Sequence, residues 1–300
     1  LNHNIANEKI NKIYNKKPRF IYSDEIQEKI KKISPNIKKL SIIPIIDRKT
    51  KKITDVLDSE KLNLFNNKKK NKKLNLNVII MAGGKGTRLM PYTSVLPKPL
   101  LPINQKPTIN HIIDRFMKYS IEKFFVTLNY KSEILKTYLK DLSKINHLII
   151  VQEKKPLGTA GSLFLIKNKI KNDFFLTNCD TIINDNYNEI YKHHKLKKND
   201  ITIVAAAKKF KIPYGVCDTK ENTFIMKEKP ALKYNVNTGF YIISKNCLKI
   251  LKKKEYLDFN DFILKCKKHN KKIGIFKIRE KSWIDVGQMQ EYKTNLNKDI

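Results

Sequence analysis

Cysteine is sparse and scattered in this chain: Cys179, Cys217, Cys247 and Cys266 form no CxxC pair. That spacing argues against a zinc site, and a chain of 300 residues needs no disulfide framework. A reducing cytoplasm is the expected compartment. Long apolar runs are missing too, since no stretch approaches the ~20 residues of a membrane span. The first residues, LNHNIANEKINKIYNKKPRF, lack the compact apolar core of a secretory leader. The chain opens at Leu1 rather than Met, which leaves room for a longer parent.

Arginine is the third scarcity. A net charge of +34 would alone point to nucleic acid or an anionic membrane. Only five arginines contribute to it, namely Arg19, Arg48, Arg88, Arg115 and Arg279. Base and phosphate reading relies on the forked guanidinium. The excess is lysine, accompanied by abundant Asn and Ile, and reads as a solvated surface. Such a surface also attracts anionic small molecules. Nucleic acid is therefore not an expected partner.

What is present is enough for a core, with 41% apolar residues. A Lys/Asn-rich stretch, NNKKKNKKLN at residues 66–75, reads as a linker. It separates residues 1–70 from 76–300, with 71–75 as the connection itself. In the larger part, short apolar runs predict strands over Val78–Ala82, Phe124–Leu128, Leu148–Gln152, Phe174–Thr177, Ile201–Ala205, Val236–Ile243 and Ile273–Ile278. Between them, Pro107–Tyr119 predicts a helix, with Ile109, Ile112, Ile113 and Phe116 on one face. Ser132–Lys140, Gly158–Lys167 and Asp185–His194 are further helix candidates. This alternation predicts an α/β domain layered around a mostly parallel sheet. The first seventy residues read as a short strand, an amphipathic helix, and a strand pair joined at Asp47–Lys51, a small α+β segment without a catalytic constellation.

The segment VIIMAGGKGTRLMPYTSVLPKPLLPI at 78–103 carries the chemistry. It is not a Walker loop, because Gly86 is followed by Thr87-Arg88 rather than Lys and a hydroxyl residue. It is not a dinucleotide fingerprint either, since the glycines run into a proline-punctuated stretch and not a helix. A strand followed by Gly83, Gly84 and Gly86 remains, with backbone N–H groups free to approach phosphate oxygens. Arg88 adds a forked cation suited to a polyphosphate, and Lys98, between Pro97 and Pro99, adds a second on a stiffened backbone.

This string resembles the signature of sugar-1-phosphate nucleotidyltransferases, and the resemblance covers residues 76–300. It implies a Rossmann-like three-layer core and transfer of a nucleotidyl group from a nucleoside triphosphate to a sugar 1-phosphate, with Mg²⁺. Arg88, Lys98 and Asp180 are the implied catalytic residues. Ala82, Gly83, Gly84, Gly86 and Thr87 would hold the nucleotide, joined by Gln152, Gly158 and Gly161 of QEKKPLGTAGSL. Asp180 of DFFLTNCDTII and Asp285 of SWIDVGQMQEY would hold the metal, although the chain has Cys179 where the family usually has Gly. PYGV, KEKP and NVNTGFYII resemble sugar-pocket elements. They nominate Gly215, Glu228, Lys229, Asn237 and Gly239 for the sugar phosphate. The PLGTAG wording is closest to mannose-1-phosphate guanylyltransferase-like members, which favours GTP; CTP, UTP and dTTP are the alternatives, as is a non-catalytic regulator on the same fold.

SIIPIID (41–47) with KITDVLDSEKL (52–62) resembles one CBS motif. Such motifs work in pairs that bind adenine nucleotides. A CBS segment ahead of this catalytic type resembles the glucosamine-1-phosphate guanylyltransferases of legionaminic acid synthesis. Here a single motif is present, and Asp58-Ser59-Glu60-Lys61 stands where the ligand-binding form ends in [ST]-x-x-D. A regulatory, packing or homo-oligomerising module is the resulting expectation.

Overall fold

A computed structural model describes residues 20–25, 42–58, 73–121, 123–143, 147–220, 223–253 and 255–296. The chain divides into two compact units, Leu1–Asn71 and Lys72–Ile300. In the first, β1 (Ile21–Tyr22), β2 (Ile42–Ile46) and β3 (Ile53–Asp58) form one sheet in that order. β2 and β3 pair antiparallel across the expected turn. Asp47 closes it by accepting from the N–H groups of Lys49 and Thr50 at 3.0 and 2.7 Å. The amphipathic helix expected between β1 and β2 lies outside the described residues.

The second unit begins with β4 (Asn77–Met81). A two-residue hairpin follows, β5 (Pro102–Ile103) with β6 (Lys106–Pro107), and leads into helix α1 (Thr108–Met117). Next come β7 (Lys123–Leu128), α2 (Ser132–Ser143), β8 (Leu148–Gln152), the single turn α3 (Gly158–Gly161) and β9 (Phe174–Asn178). β10 (Thr181–Ile183), α4 (Tyr187–Leu196), β11 (Ile201–Lys211), β12 (Val216–Lys220), β13 (Thr223–Lys227) and β14 (Ala231–Ile243) continue the chain. It closes with α5 (Phe259–Lys268), β15 (Ile273–Arg279), β16 (Trp283–Asp285) and α6 (Met289–Asn295).

Seven strands make one sheet in the order β15-β11-β14-β9-β4-β7-β8. Four of its six pairings are parallel, and only those of β14 with β11 and β9 are antiparallel. This is the expected mixed, mostly parallel α/β sheet. Because successive strand side chains point to opposite faces, each strand feeds two cores. Val78, Ile80, Phe124, Val126, Phe175, Phe240 and Ile242 pack beneath α1, α2 and α4. Ile79, Met81, Phe125, Phe174, Leu176, Tyr241 and Ile243 meet α3 and α5 on the other side. Three layers result.

The α1 stripe behaves as the periodicity predicts: Ile109, Ile112, Ile113 and Phe116 are all buried. The helix expected over Gly158–Lys167 instead breaks into one α-turn and two 3₁₀ turns. β11 runs to Lys211 and β14 begins at Ala231, both far beyond their apolar stretches. Residues 208–211 and 231–234 pair only with each other and stand clear of the core, so no burial marks them in the sequence.

Candidate active site

β4, β7, β8 and β9 each run directly into a residue lining one cleft: Gly83, Asn129, Glu153 and Asp180. Ligands of open α/β sheets sit beyond these carboxyl ends. The cleft holds about 320 Å³, within the usual range for a ligand pocket.

The glycine turn forms its first wall. Gly86 has φ +68°, and an added Cβ would lie 2.9 Å from the Thr93 side chain. The Gly86 carbonyl accepts from Thr93 Oγ1 and from Leu89 N–H, both at 2.9 Å, which fixes the turn. Gly83, Gly84, Lys85 and Gly86 all line the cleft. Ala82 does not, being buried at the strand end with its N–H on the Thr127 carbonyl. Thr87 and Arg88 occupy an exposed 3₁₀ turn just past the lining residues. Among the described residues the Arg88 guanidinium has no ion-pair partner.

Lys98 enters from a second 3₁₀ turn, Lys98–Leu100, and its Nζ pairs with Asp180 Oδ2. The Asp285 carboxylate arrives beside Asp180 because β10 and β16 pair antiparallel, with Thr181 opposite Asp285. Asp285 Oδ1 accepts from Gly287 N–H at 2.7 Å, and Val286 N–H donates to the Asp180 carbonyl at 2.9 Å. A Cβ on Gly287 would sit 2.3 Å from Asp180 Oδ2, 3.0 Å from Asp285 Oδ1 and 3.1 Å from Lys98 Nζ. Three functional groups converge on a residue that must therefore be glycine.

Their charges are interdependent. Burial works to lower the Lys98 pKa, but the Asp180 carboxylate, with Asp285, holds it above the ordinary lysine value. Burial, then the Asp180 charge, raises the Asp285 pKa, against the Gly287 hydrogen bond. Burial pushes the Cys179 thiol up to about 12. Cys179 is thus an uncharged packing group and not a thiolate nucleophile. Asp180 and Asp285 offer hard oxygen donors, with one ammonium beside them. No cluster of three or more His, Cys, Asp or Glu suited to a metal exists among the described residues. Two carboxylates, completed by phosphate oxygens and water, fit Mg²⁺, which keeps several waters and substrate oxygens in its shell.

The second wall is the Leu157–Gly161 turn. Sequence reasoning nominated Gln152, yet Gln152 is exposed and the next residue, Glu153, is buried against the cleft. Burial raises the Glu153 pKa, opposed by a 3.3 Å hydrogen bond from Leu157 N–H. Gly158 lines the cleft; Gly161 is buried behind it. Both are small because residues 255–257 press against them. An added Cβ would lie 2.6 Å from the Leu257 carbonyl oxygen at Gly158 and 2.5 Å from the Glu255 carbonyl oxygen at Gly161. Gly158 also has φ +76°. Gly158→Ala is therefore expected to cost about 1–3 kcal/mol, measured as a lower melting temperature.

The sugar-side candidates stand elsewhere. Gly215, Glu228 and Lys229 sit at the base of the β12–β13 hairpin, exposed and outside the cleft lining. Gly215 adjoins Glu228, whose Oε2 lies 3.2 Å from an added Cβ, and Lys229 pairs with Glu228 at 3.2 Å. Asn237 and Gly239 lie at the register shift of the β11–β14 pairing, where Val204 is opposite Phe240 and the next residue, Ala205, is opposite Asn237. Gly239 N–H donates to Asn237 Oδ1 at 3.1 Å, and Gly239 packs against Asn178, which lines the cleft. Asn129, Asn178, Tyr256 and Asp258 line it too and carry no motif. Glu153 alone had a signal, a carboxylate at a strand end like Asp180.

Residues 77–300 match the model of a family described as nucleotidyl transferase. A probable mannose-1-phosphate guanylyltransferase of Oryza sativa is 30% identical over 233 residues, 74% of this chain. The chain spans 64% of that relative's length. A D-glycero-alpha-D-manno-heptose 1-phosphate guanylyltransferase of Campylobacter jejuni is 30% identical over 226 residues, 72% of this chain and 97% of that protein. Among solved structures, HddC from Yersinia pseudotuberculosis superposes with a TM-score of 0.57 at 23% identity, covering 74% of this chain and 98% of its own. An inositol-1-phosphate CTP transferase from T. maritima gives 0.53 at 19% identity, covering 73% and 92%. These structural likenesses concern the fold.

Proposed function

We propose, from the premise that this chain belongs to the nucleotidyl transferase family, that it moves a nucleotidyl group from GTP to a sugar 1-phosphate. The products are an NDP-sugar and pyrophosphate. The observation that carries this reading is the convergence of Lys98, Asp180 and Asp285 on Gly287, beside the cleft lined by the glycine turn. The guanine preference rests on Glu153, a carboxylate buried against the cleft, and agrees with the guanylyltransferase names of the relatives.

A phosphate oxygen of the sugar phosphate forms a bond to the α-phosphorus, the α–β bridging bond breaks in line, and pyrophosphate leaves. Phosphate is ionised at neutral pH, so no general base is needed. Catalysis is alignment plus charge neutralisation. The glycine-turn amides hold the triphosphate. Lys98 steadies the phosphates at the reacting centre, and Arg88 reaches the departing pyrophosphate from its exposed turn. Mg²⁺ on Asp180 and Asp285 would supply neutralisation of developing charge on the reacting oxygens. Gly215, Glu228, Lys229, Asn237 and Gly239 are assigned to the acceptor sugar phosphate on the strength of the sequence resemblance. The same resemblance suggests a nucleotide-sugar supply for surface glycans. The amino-terminal unit is a packing or dimerisation module, and AMP titrated into the full chain should release no heat.

The test is a pyrophosphate-release screen of the five common nucleoside triphosphates against a panel of sugar 1-phosphates, with Mg²⁺. Release that needs both substrates, fastest with GTP, is expected. No release with any pair would sink the reading. So would tight, steeply salt-dependent binding of DNA or RNA in its place.

A further inference from the structure

The wall of the cleft formed by residues 255–258 has no counterpart among the recognised motifs, and its construction is specific. Asp258 is the N-cap residue of α5, yet its carboxylate makes no capping hydrogen bond. Ser, Thr, Asn and Asp at that position normally satisfy the first helical N–H groups. Here Thr159 does so from the adjoining turn, its Oγ1 accepting from Phe259 N–H at 2.8 Å. The Asp258 carboxylate is thereby released toward the cleft, which it lines. Its own partners are long: Thr159 N–H at 3.4 Å to Oδ1, and the Tyr256 hydroxyl at 3.4 Å to Oδ2. An ionised carboxylate accepts about four hydrogen bonds, so most of its capacity is unfilled.

The wall is rigid. Leu257 N–H donates to the Leu157 carbonyl at 2.9 Å, and the Leu257 carbonyl accepts from Ala160 and Gly161 at 2.9 and 3.1 Å. Lys265 of α5 clamps Glu255 at 2.7 and 2.9 Å. Two carboxylates thus bracket one turn: Glu153 holds the Leu157 N–H and Asp258 the Thr159 N–H, with Gly158 between them. In the proposed reaction Lys85, Lys98 and the glycine amides take the triphosphate, and Asp258 has no cation beside it among its hydrogen-bond partners. Its open acceptor capacity suits hydrogen-bond donors of the nucleoside. With Glu153 assigned to the base edge, the donors left are the ribose hydroxyls.

We propose that Asp258, oriented by Tyr256, accepts hydrogen bonds from the ribose hydroxyls and makes the cleft selective for ribonucleotides over deoxyribonucleotides. This rests on the nucleotidyltransferase reading but not on the choice of base. The experiment compares the best triphosphate of the screen with its 2′-deoxy and 3′-deoxy analogues, in kcat/KM and in calorimetric Kd. Wild type should prefer the ribonucleotide by about 10-fold or more over at least one analogue, as for a hydrogen bond to a charged group. Asp258→Asn keeps an acceptor for Thr159 N–H, and in it the preference should fall to about 3-fold or less at an unchanged melting temperature. Tyr256→Phe should weaken the preference in the same direction, and it serves if Asp258→Asn does not fold. Unchanged ribose selectivity in a folded variant overturns the proposal. So does a loss of GTP-over-ITP discrimination with ribose selectivity intact, since that places Asp258 at the base. If wild type releases no pyrophosphate with any pair, the catalytic reading fails, and the Kd ratios still decide this one.

Discussion

Asp180→Asn is expected to lower kcat by about 10³-fold or more while leaving the Kd for GTP within a few-fold of wild type. The two effects separate because Asp180 belongs to the group around Gly287, whereas the turn at Leu157–Gly161 and Glu153 are untouched. Stability needs its own control, because the substitution leaves the partly buried Lys98 ammonium without its main countercharge. Removing one member of such a pair costs more than removing both. The folded-state pKa of Lys98 is raised above the ordinary 10.5. Its pairing therefore stabilises the fold fully below the unfolded value, and that contribution is lost as pH rises through the folded one. The variant should melt lower than wild type at neutral pH, with the gap narrowing only above about pH 10.5. Asp180→Asn combined with Lys98→Met should recover the melting temperature but not turnover. Near-normal turnover of the single variant at saturating Mg²⁺ would remove Asp180 from the chemistry.

The residues legible in the sequence were those whose type is dictated by backbone or charge. Gly86 must adopt a left-handed conformation, and Asp180 must close a buried strand, so both appear as motif letters. Strand interiors were legible because burial on both faces makes continuous apolar runs, as in Val78–Met81. The extensions of β11 and β14 were not, because strands that are paired but solvated on both faces leave no apolar periodicity. Gly158 and Gly161 were legible as small residues, but the neighbour that presses on them was not. The group that requires their size is the backbone of residues 255–257, nearly a hundred positions away. Asp258 was invisible for a related reason: its role depends on Thr159 capping a helix that belongs to another part of the chain.

Glu153→Gln should lower kcat/KM for GTP by about 10- to 100-fold, the range for a hydrogen bond to a charged group, and erase the preference for GTP over ITP. Guanine presents N1–H and its 2-amino group side by side, a donor pair that a carboxylate accepts in fork geometry. Adenine and cytosine present a ring acceptor at the corresponding edge and are repelled, and uracil presents one donor between two carbonyls. An amide offers one acceptor and one donor, so it loses the match to guanine without acquiring another of equal strength. The same change should stabilise the free protein, which distinguishes a specificity residue from a packing residue. Burial raises the Glu153 pKa above its ordinary 4.5, so the folded state favours the protonated form. The stability associated with that form is complete below pH 4.5 and is lost as pH rises through the raised folded value. A neutral glutamine side chain at this position suffers no such loss. The melting-temperature gain of Glu153→Gln should therefore be present at pH 7 to 8 and vanish toward about pH 4. Retained GTP-over-ITP discrimination in the variant would take guanine reading away from Glu153.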